Sequence, residues 1–483
     1  MQDSTNPHPD IGLAGLIGAH WRFFLVTIAA AILLRLLFIL RFPQITPDTF
    51  VYGDLAKNWL LHGVYGLSGP AGPVVSLIRL PGYPAFLAGL FAVFGMEHYN
   101  AVRFVQMLIE TGTCLAVADV ARRTVSSRAA RIAFLLTALC PALANYVAVP
   151  LTETLAVFLA AMALDFSIQG LQCMQQRGDA ALRSWIYCGL AIGLGILVRP
   201  DGGLALVVIG GYLIIRLFTQ PRQRTQTLVA GVVLGVASLG LLVPWTIRNW
   251  RAFHVFQPLA PVTATDPGEF APVGFVRWQQ TWVADYASVE DIGFRVDGEP
   301  IRLSDLPNRA FDNDDEHRRT AELFDAYNQN LTMTPAIDVG FAQLAQERVQ
   351  RHPLRHYVWL PALRVADLWL RPRTELLPLD SHWWRIEDDP HDSLTAMALA
   401  AANLFFVGSA LLAWRERRSI AYCGLLLAFI LVRTLFMSAL PNPEPRYVLE
   451  CYPALLVLAA VGLAQLHKTR PVGVAPEAVH AGQ

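Results

Sequence analysis

The sequence predicts an all-α polytopic membrane protein, and three observations carry that prediction. Apolar residues make up 54% of the 483 and charged ones only 16%, against roughly 25% charged in a soluble domain. Runs of about 20 apolar residues, the length a helix needs to cross a bilayer core, recur along the chain. Arginines crowd the short connections between those runs, as on the cytoplasmic side of membrane proteins. This composition excludes disordered, collagen-like and ordinary soluble classes. The 38 basic and 38 acidic residues balance, which leaves no basic footprint for a nucleic-acid partner.

Taken in order, the first 20 residues read as a polar, loosely structured cytoplasmic tail without the cleavage site of a signal peptide. Trp21–Leu40 is long enough to span and reads as an uncleaved anchor. Further spans are expected at about 101–120, 132–149, 153–169, 185–198, 203–218, 227–245, 393–414, 419–440 and 447–466. These ten alternate consistently, with both termini inside, if the connections holding Arg122–Arg131, Arg177–Arg183, Arg216–Arg224 and Arg415–Arg418 are cytoplasmic together with Lys468 and Arg470. Gly82–Gly95 is apolar but short. Counting it as an eleventh crossing inverts every later loop, so it reads as an interfacial or re-entrant helix, and His356–Leu370, with Arg364 and Asp367 among Trp and Leu, reads likewise. The chain divides into the tail 1–20, a transmembrane core 21–246 whose first outer loop is 41–100, a juxtamembrane region 247–392, C-terminal helices 393–466 and a tail 467–483. The region 247–392, acidic in patches and rich in Trp and Pro, is expected to be a small α-rich domain on the membrane. No internal repeat of the kind many transporters carry is visible.

In the first loop, Asp48, Tyr52, Leu55, Ala56 and Trp59 recur at helical spacing, predicting an amphipathic helix at the interface. Asp48 lies near its positive end and reads as an N-cap or as a reactive carboxylate. Asp54 faces elsewhere, as a solvated or supporting group. Arg79-Leu-Pro-Gly-Tyr83-Pro84 makes a rigid corner whose arginine can bind a phosphate or a lipid headgroup. Glu153, in Pro150-Leu-Thr152-Glu153, adjoins spans of Ala and Leu, where an acid either caps a helix or faces a polar cavity. Arg199-Pro-Asp201 reads as an ion pair or a phosphate site, and Arg248-Asn249 after Pro244-Trp245 as an interfacial anchor. In Pro443-Glu444-Pro445-Arg446-Tyr447 the arginine can hold a phosphate bidentately or pair with Glu444. The six cysteines form no C-x-x-C pair and lie in or beside apolar runs, which leaves neither a disulfide framework nor a cysteine-ligated metal. The scattered acids and arginines share one face of the membrane, which suggests a site for a lipid-borne anion.

The order of these motifs resembles that of integral-membrane GT-C glycosyltransferases. The residues that carry the resemblance are Asp48-x-x-x-Tyr52, Arg79-x-Pro-x-Tyr83-Pro, Thr152-Glu153, Arg199-Pro, Pro244-Trp-x-x-Arg248-Asn and Arg446-Tyr447. The pattern is most similar to the bacterial branch (glycosyltransferase family 39) related to protein O-mannosyltransferases and the lipid A aminoarabinose transferase, which includes the rhizobial lipopolysaccharide galacturonosyltransferases. It runs from about 20 to 466 and is thin over 260–390. The resemblance implies a GT-C fold with 10–11 transmembrane helices and a polyprenyl-phosphate sugar donor. It further implies a lipid, glycan or protein acceptor and an active site on the outer face of the bacterial cytoplasmic membrane. It assigns Asp48 as catalytic base, with Asp54 as runner-up, and Glu153 as a residue that orients the acceptor or tunes Asp48. Tyr52, Arg79, Tyr83, Arg199, Arg446 and Tyr447 would bind donor phosphate and substrate. A single displacement would invert the anomeric configuration. Pro47-Asp48-Thr49 stands where some protein mannosyltransferases have an Asp-Glu pair, which weighs against a protein acceptor. Asp312-x-Asp314 lies far from the other motifs, so no metal or other cofactor is expected. The rival reading is a transporter or flippase, for which Arg35 and Arg433 are the nearest ionisable groups within spans.

Overall fold

The computed structural model describes residues 12–176, 180–387 and 389–466. Among these, eight helices are long and apolar enough to cross a membrane: Trp21–Arg41, Tyr99–Thr124, Glu153–Gln175, Ala181–Val198, Pro200–Thr219, Pro221–Phe253, Pro390–Glu416 and Pro445–Ala464. Two expected spans take other forms. The 132–149 stretch is an elbow, Ser127–Ala138 followed by Pro141–Val147 at 50°. Pro141 has no N–H to give, and its ring keeps Cys140 out of the helical region, at ψ 110°. The 419–440 stretch is the 16-residue helix Cys423–Ser438, about 24 Å long at 1.5 Å per residue, and Tyr422 before it has a left-handed φ of 58°. The short apolar stretch after residue 81 is the helix Gly82–Phe94.

The amino-terminal tail also differs from expectation. Leu13–Ala19 is helical, and Leu16 is buried in the same cluster as Phe24 and Phe134, because the run from Gly12 to Ala19 is apolar throughout. Residues 1–11, Arg177 and the tail 467–483 with Lys468 and Arg470 lie outside the described residues.

The helices alternate in direction, so that one end of the bundle gathers the corners singled out above. Arg103 donates to Gln44 O at 3.0 Å, Thr49 Oγ1 to Pro150 O at 3.2 Å, and Gln280 to Ala439 O at 2.7 Å. At the opposite end Ala421 N donates to Thr124 O at 2.9 Å. The innermost helix is Pro445–Ala464, 89% buried. With lipid outside there is no hydrophobic drive between helices, so close backbone approach through small residues holds them. A Cβ on Gly462 would lie 2.0 Å from Ser409 O. Arg35, fully buried in the first span, pairs with Glu110 and donates to Ala31 O at 2.9 Å and to Ala138 O at 2.5 Å. Ala138 O is a carbonyl released by the elbow.

Between the spans ending at Phe253 and starting at Pro390, the helices Val273–Gln280, Asp314–Asn328 and Pro335–Arg351 enclose a second core of Phe275, Trp278, Trp282, Phe324, Tyr327 and Phe341. Asp312 serves this unit, accepting from Arg355 at 2.6 Å. Arg364 fastens it to the bundle, donating to Val283 O at 2.9 Å, Gln280 O at 2.7 Å and Ser438 O at 3.3 Å. Arg364 sits on helix Leu360–Leu370. That helix and the wide turn before it expose Tyr357, Val358, Trp359 and Leu363, the apolar face an interfacial helix needs.

Candidate active site

Helix Pro47–His62 starts from a reciprocal cap. Thr46 Oγ1 accepts from Thr49 N at 3.3 Å, and Thr49 Oγ1 accepts from Thr46 N at 3.2 Å. The cap therefore belongs to Thr46, and Asp48 stands inside the first turn with its carboxylate free for other partners. The helix buries Thr49, Gly53, Leu55 and Ala56, while Trp59, expected on that stripe, is 38% exposed and meets the Tyr65 ring edge-on at 5.2 Å. Asp54 is committed elsewhere. It accepts from Ser68 N and Ser68 Oγ, both at 2.6 Å, and so pins the two-stranded ribbon Gly66–Gly69 with Gly72–Val75.

Asp48 lies between two guanidiniums, Arg79 Nη2 at 3.0 Å and Arg446 Nη1 at 3.4 Å. Arg79 is carried by the ribbon's exit, where its carbonyl accepts from the Tyr65 hydroxyl at 2.9 Å. From Arg446 the charges continue in alternation. Glu153 Oε1 is 3.6 Å from Arg446 and 2.8 Å from Arg199. Arg199 is 3.1 Å from Asp201 and 3.6 Å from Glu450. Arg433 closes the series on Asp201 and on Glu450, the latter at 2.7 Å. Glu444 pairs with Arg446 at 2.6 Å and also accepts from the Tyr447 hydroxyl at 2.6 Å.

A cavity of about 580 Å³ is lined by Asp48, Tyr52, Arg79, Arg199, Arg446 and Tyr447. Its other wall is apolar, with Val198, Leu204, Phe436, Met437 and Leu440. Phe436 is 48% exposed on the flank of the bundle. Two expected residues stand back from the cavity. Tyr83 is fully buried behind Tyr52, edge-on at 5.2 Å, and donates to Gln106 Oε1 at 2.9 Å. Glu153 lies behind Arg199 and Arg446, 3% exposed. Arg248 is no interfacial anchor: it donates to Tyr65 O at 2.6 Å and Ser76 O at 2.8 Å, bracing the ribbon.

Burial alone would push the Asp48 carboxyl up, but the positive charges of Arg446 and Arg79 outweigh it and hold the group below the ordinary carboxylate range. Burial pushes the Tyr52 phenol up to about 12, against the pull of Arg79, so it stays a neutral hydroxyl. Each carboxylate here is engaged by arginine, and no cluster of three His, Cys, Asp or Glu suited to a metal occurs among the described residues. Glu450 has no place among the motifs read from the sequence, and Arg433 stands there only as an ionisable group within a span. The signal for Glu450 was an acid opening an otherwise apolar final span. The arrangement can hold an anion on fixed guanidiniums, with a carboxylate beside it to accept a proton.

Fold and site together define a polytopic helical membrane bundle with a charged cavity at one end. Residues 79–247, about a third of the chain, match the model of a family described as dolichyl-phosphate-mannose-protein mannosyltransferase; that stretch holds Arg79, Glu153, Arg199 and Asp201. No curated protein matches the sequence. Among solved structures, the oligosaccharyltransferase AglB from Archaeoglobus fulgidus, in complex with an inhibitory peptide and a dolichol-phosphate, is similar over 94% of this chain at 13% identity and a TM-score of 0.53. This chain spans about half the length of the archaeal protein, 51% of which is covered. ArnT from Cupriavidus metallidurans bound to undecaprenyl phosphate matches over 91% of this chain and 78% of its own at 15% identity, with a TM-score of 0.40. The archaeal likeness shows the fold, as the GT-C resemblance of the motifs implied.

Proposed function

We propose that the protein is an inverting transferase that moves a sugar from a polyprenyl-phosphate donor to a hydroxyl of a cell-envelope acceptor, at the outer face of the bacterial cytoplasmic membrane. The observation that carries this reading is the Asp48 carboxylate held between Arg79 and Arg446 in a cavity with one charged and one apolar wall. The donor phosphate would take the guanidiniums of Arg79, Arg446 and Arg199, with its isoprenoid chain along Leu204, Met437 and Phe436. The acceptor hydroxyl donates to Asp48 and attacks the anomeric carbon from the side opposite the phosphate. As the new C–O bond forms, the bond to phosphate breaks with its electron pair on the phosphate oxygen, and Asp48 takes the proton. The preorganised arginines stabilise the charge that gathers on the leaving phosphate. The dolichol-phosphate named with the archaeal structure and the lipid-phosphate sugar in the family description support this donor class. Transport has less support. Arg35 is closed by Glu110 and three carbonyls, and Arg433 by Asp201, Glu450 and Tyr447 O, so neither is left to line a path.

The test is turnover of radiolabelled undecaprenyl-phosphate sugars by the protein in lipid, with a crude envelope extract as acceptor. Asp48→Asn should lower release of lipid phosphate by about 10²–10⁴-fold while undecaprenyl-phosphate binding persists. Asp54→Asn, off the cavity, should leave turnover within an order of magnitude. No turnover of any donor by folded wild-type protein would overturn the reading.

A further inference from the structure

A second cavity, of about 520 Å³, opens between the segment 285–309 and the loop 382–385. Three pairs lie in its walls. Asp285 meets Arg309, Asp305 lies 3.0 Å from Arg295, and Asp291 lies 3.3 Å from His382. Arg385 adds a third guanidinium, so three carboxylates face three guanidiniums and one imidazole. Three carboxylates against three guanidiniums leave the walls with little net charge, so neither an anion nor a cation is drawn in and the cavity favours a neutral ligand. Carboxylates accept hydrogen bonds only and guanidiniums only donate. A ligand that serves both must carry groups able to do both, as hydroxyls do. Trp384 also lines the cavity, 50% exposed, and its ring meets that of His382 at 5.1 Å. It offers an apolar face among the polar walls. A neutral, hydroxyl-rich molecule with an apolar face is a saccharide, and the volume lies within the range of small-molecule sites, roughly 300–1,000 Å³.

The cavity is tied to the catalytic end by a short series of contacts. Tyr286, next to Asp285, donates its N–H to Asp367 at 2.9 Å and lies under the Arg371 guanidinium at 5.2 Å. Arg371 also donates to Ser381 O at 2.5 Å, holding the loop that carries His382 and Trp384. Arg373 donates to Pro445 O at 2.9 Å, one residue before Arg446. Both cavities therefore stand on one fastened block at the same end of the bundle.

We propose that this second cavity binds a neutral saccharide unit of the acceptor, away from the hydroxyl that reacts. The word acceptor rests on the transferase reading above; the saccharide site does not. The test uses the full chain in lipid nanodiscs, applied to an array of neutral hexose oligosaccharides alongside uronate-containing and phosphorylated ones, with undecaprenyl-phosphate binding measured in parallel. The expected result is binding to neutral glycans that Trp384→Ala weakens about tenfold or more, with undecaprenyl-phosphate binding retained. His382→Gln and Arg385→Gln provide the same reading if Trp384→Ala does not fold. Wild-type protein that takes undecaprenyl phosphate but no neutral glycan, or only anionic ones, overturns the proposal, as does glycan binding that none of these variants alters. Neutral-glycan binding without undecaprenyl-phosphate binding would uphold the saccharide site and overturn the donor reading instead.

Discussion

Arg446 and Arg79 keep the Asp48 carboxyl low against the opposing effect of burial, so in the empty site it is ionised and a weak proton acceptor. On the reading proposed above, a donor phosphate drawing on the same guanidiniums would relax that hold and bring its own negative charge close, raising the carboxyl towards the working pH. The two pH profiles should then differ. The profile of kcat/KM, which reports the free enzyme, should stay flat on its acid side down into the ordinary carboxylate range, and that of kcat, which reports the loaded site, should fall off at a higher pH. Coincident acid limbs would show that phosphate and Asp48 do not share these arginines. At this scale the sequence was informative wherever a charge stood at a corner beside apolar spans, as with Asp48, Arg79, Arg199 and Arg446. Helical spacing set Asp54 apart from the Asp48 stripe but could not show what claims it, because its partner is Ser68, on a ribbon fixed by tertiary contacts. Glu450 was missed and Arg433 was noticed only as a possible transport group, because a charge inside a span reads equally as a transport group or as half of a pair.

The element that delivers Arg79 depends on a glycine. A Cβ at Gly82 would lie 2.6 Å from both the carbonyl carbon and oxygen of Leu197, so the helix Gly82–Phe94 starts in direct backbone contact with the last turn of the helix leading to Arg199. Gly82→Ala must push the two apart, moving Arg79 away from Asp48 and Arg199. The expected outcome is a stability loss of about 1–3 kcal/mol together with weaker undecaprenyl-phosphate binding, read by thermal melts and lipid binding in nanodiscs. Gly89, on the same helix with nothing within 4 Å of an added Cβ, should accept Ala with neither effect; equal behaviour of the two variants would count against the argument. Hydropathy located the helices well but could not see their breaks. It carried the 132–149 run straight through Pro141, where backbone chemistry bends it, and it began the 419–440 span before Tyr422, whose left-handed φ fixes a later start.

Across the whole molecule, the block between the spans hangs on few groups, and Asp367 is one of them. Burial raises its carboxyl to about 6, against the pull of Arg371, from about 3.9 in an unfolded chain. The folded state thus binds more protons than the unfolded one between those values. The contribution of Asp367 to stability should be greatest below about pH 4, fall by at most about 3 kcal/mol as pH rises to about 6, and level off above. Asp367→Asn keeps an oxygen for the Tyr286 N–H and should flatten that slope, checked by thermal denaturation in lipid between pH 4 and 7; an unchanged slope would assign it to other groups. Sequence reading placed an α-rich unit here but not its core, because Phe275 and Trp278 pack on Phe324 and Phe341, about fifty or more residues further along. Arg35 bears on the molecule in a different way, through the order in which it can be built. An arginine at the centre of a lone inserting helix costs roughly 2.5–3.5 kcal/mol, and Arg35, six residues before the end of its span, somewhat less; its partners Glu110 and Ala138 O are synthesised 75 and 103 residues later. The first helix gains full compensation in the bilayer only once the Tyr99–Thr124 helix and the elbow have followed it, so integration of the amino-terminal third is cooperative by construction.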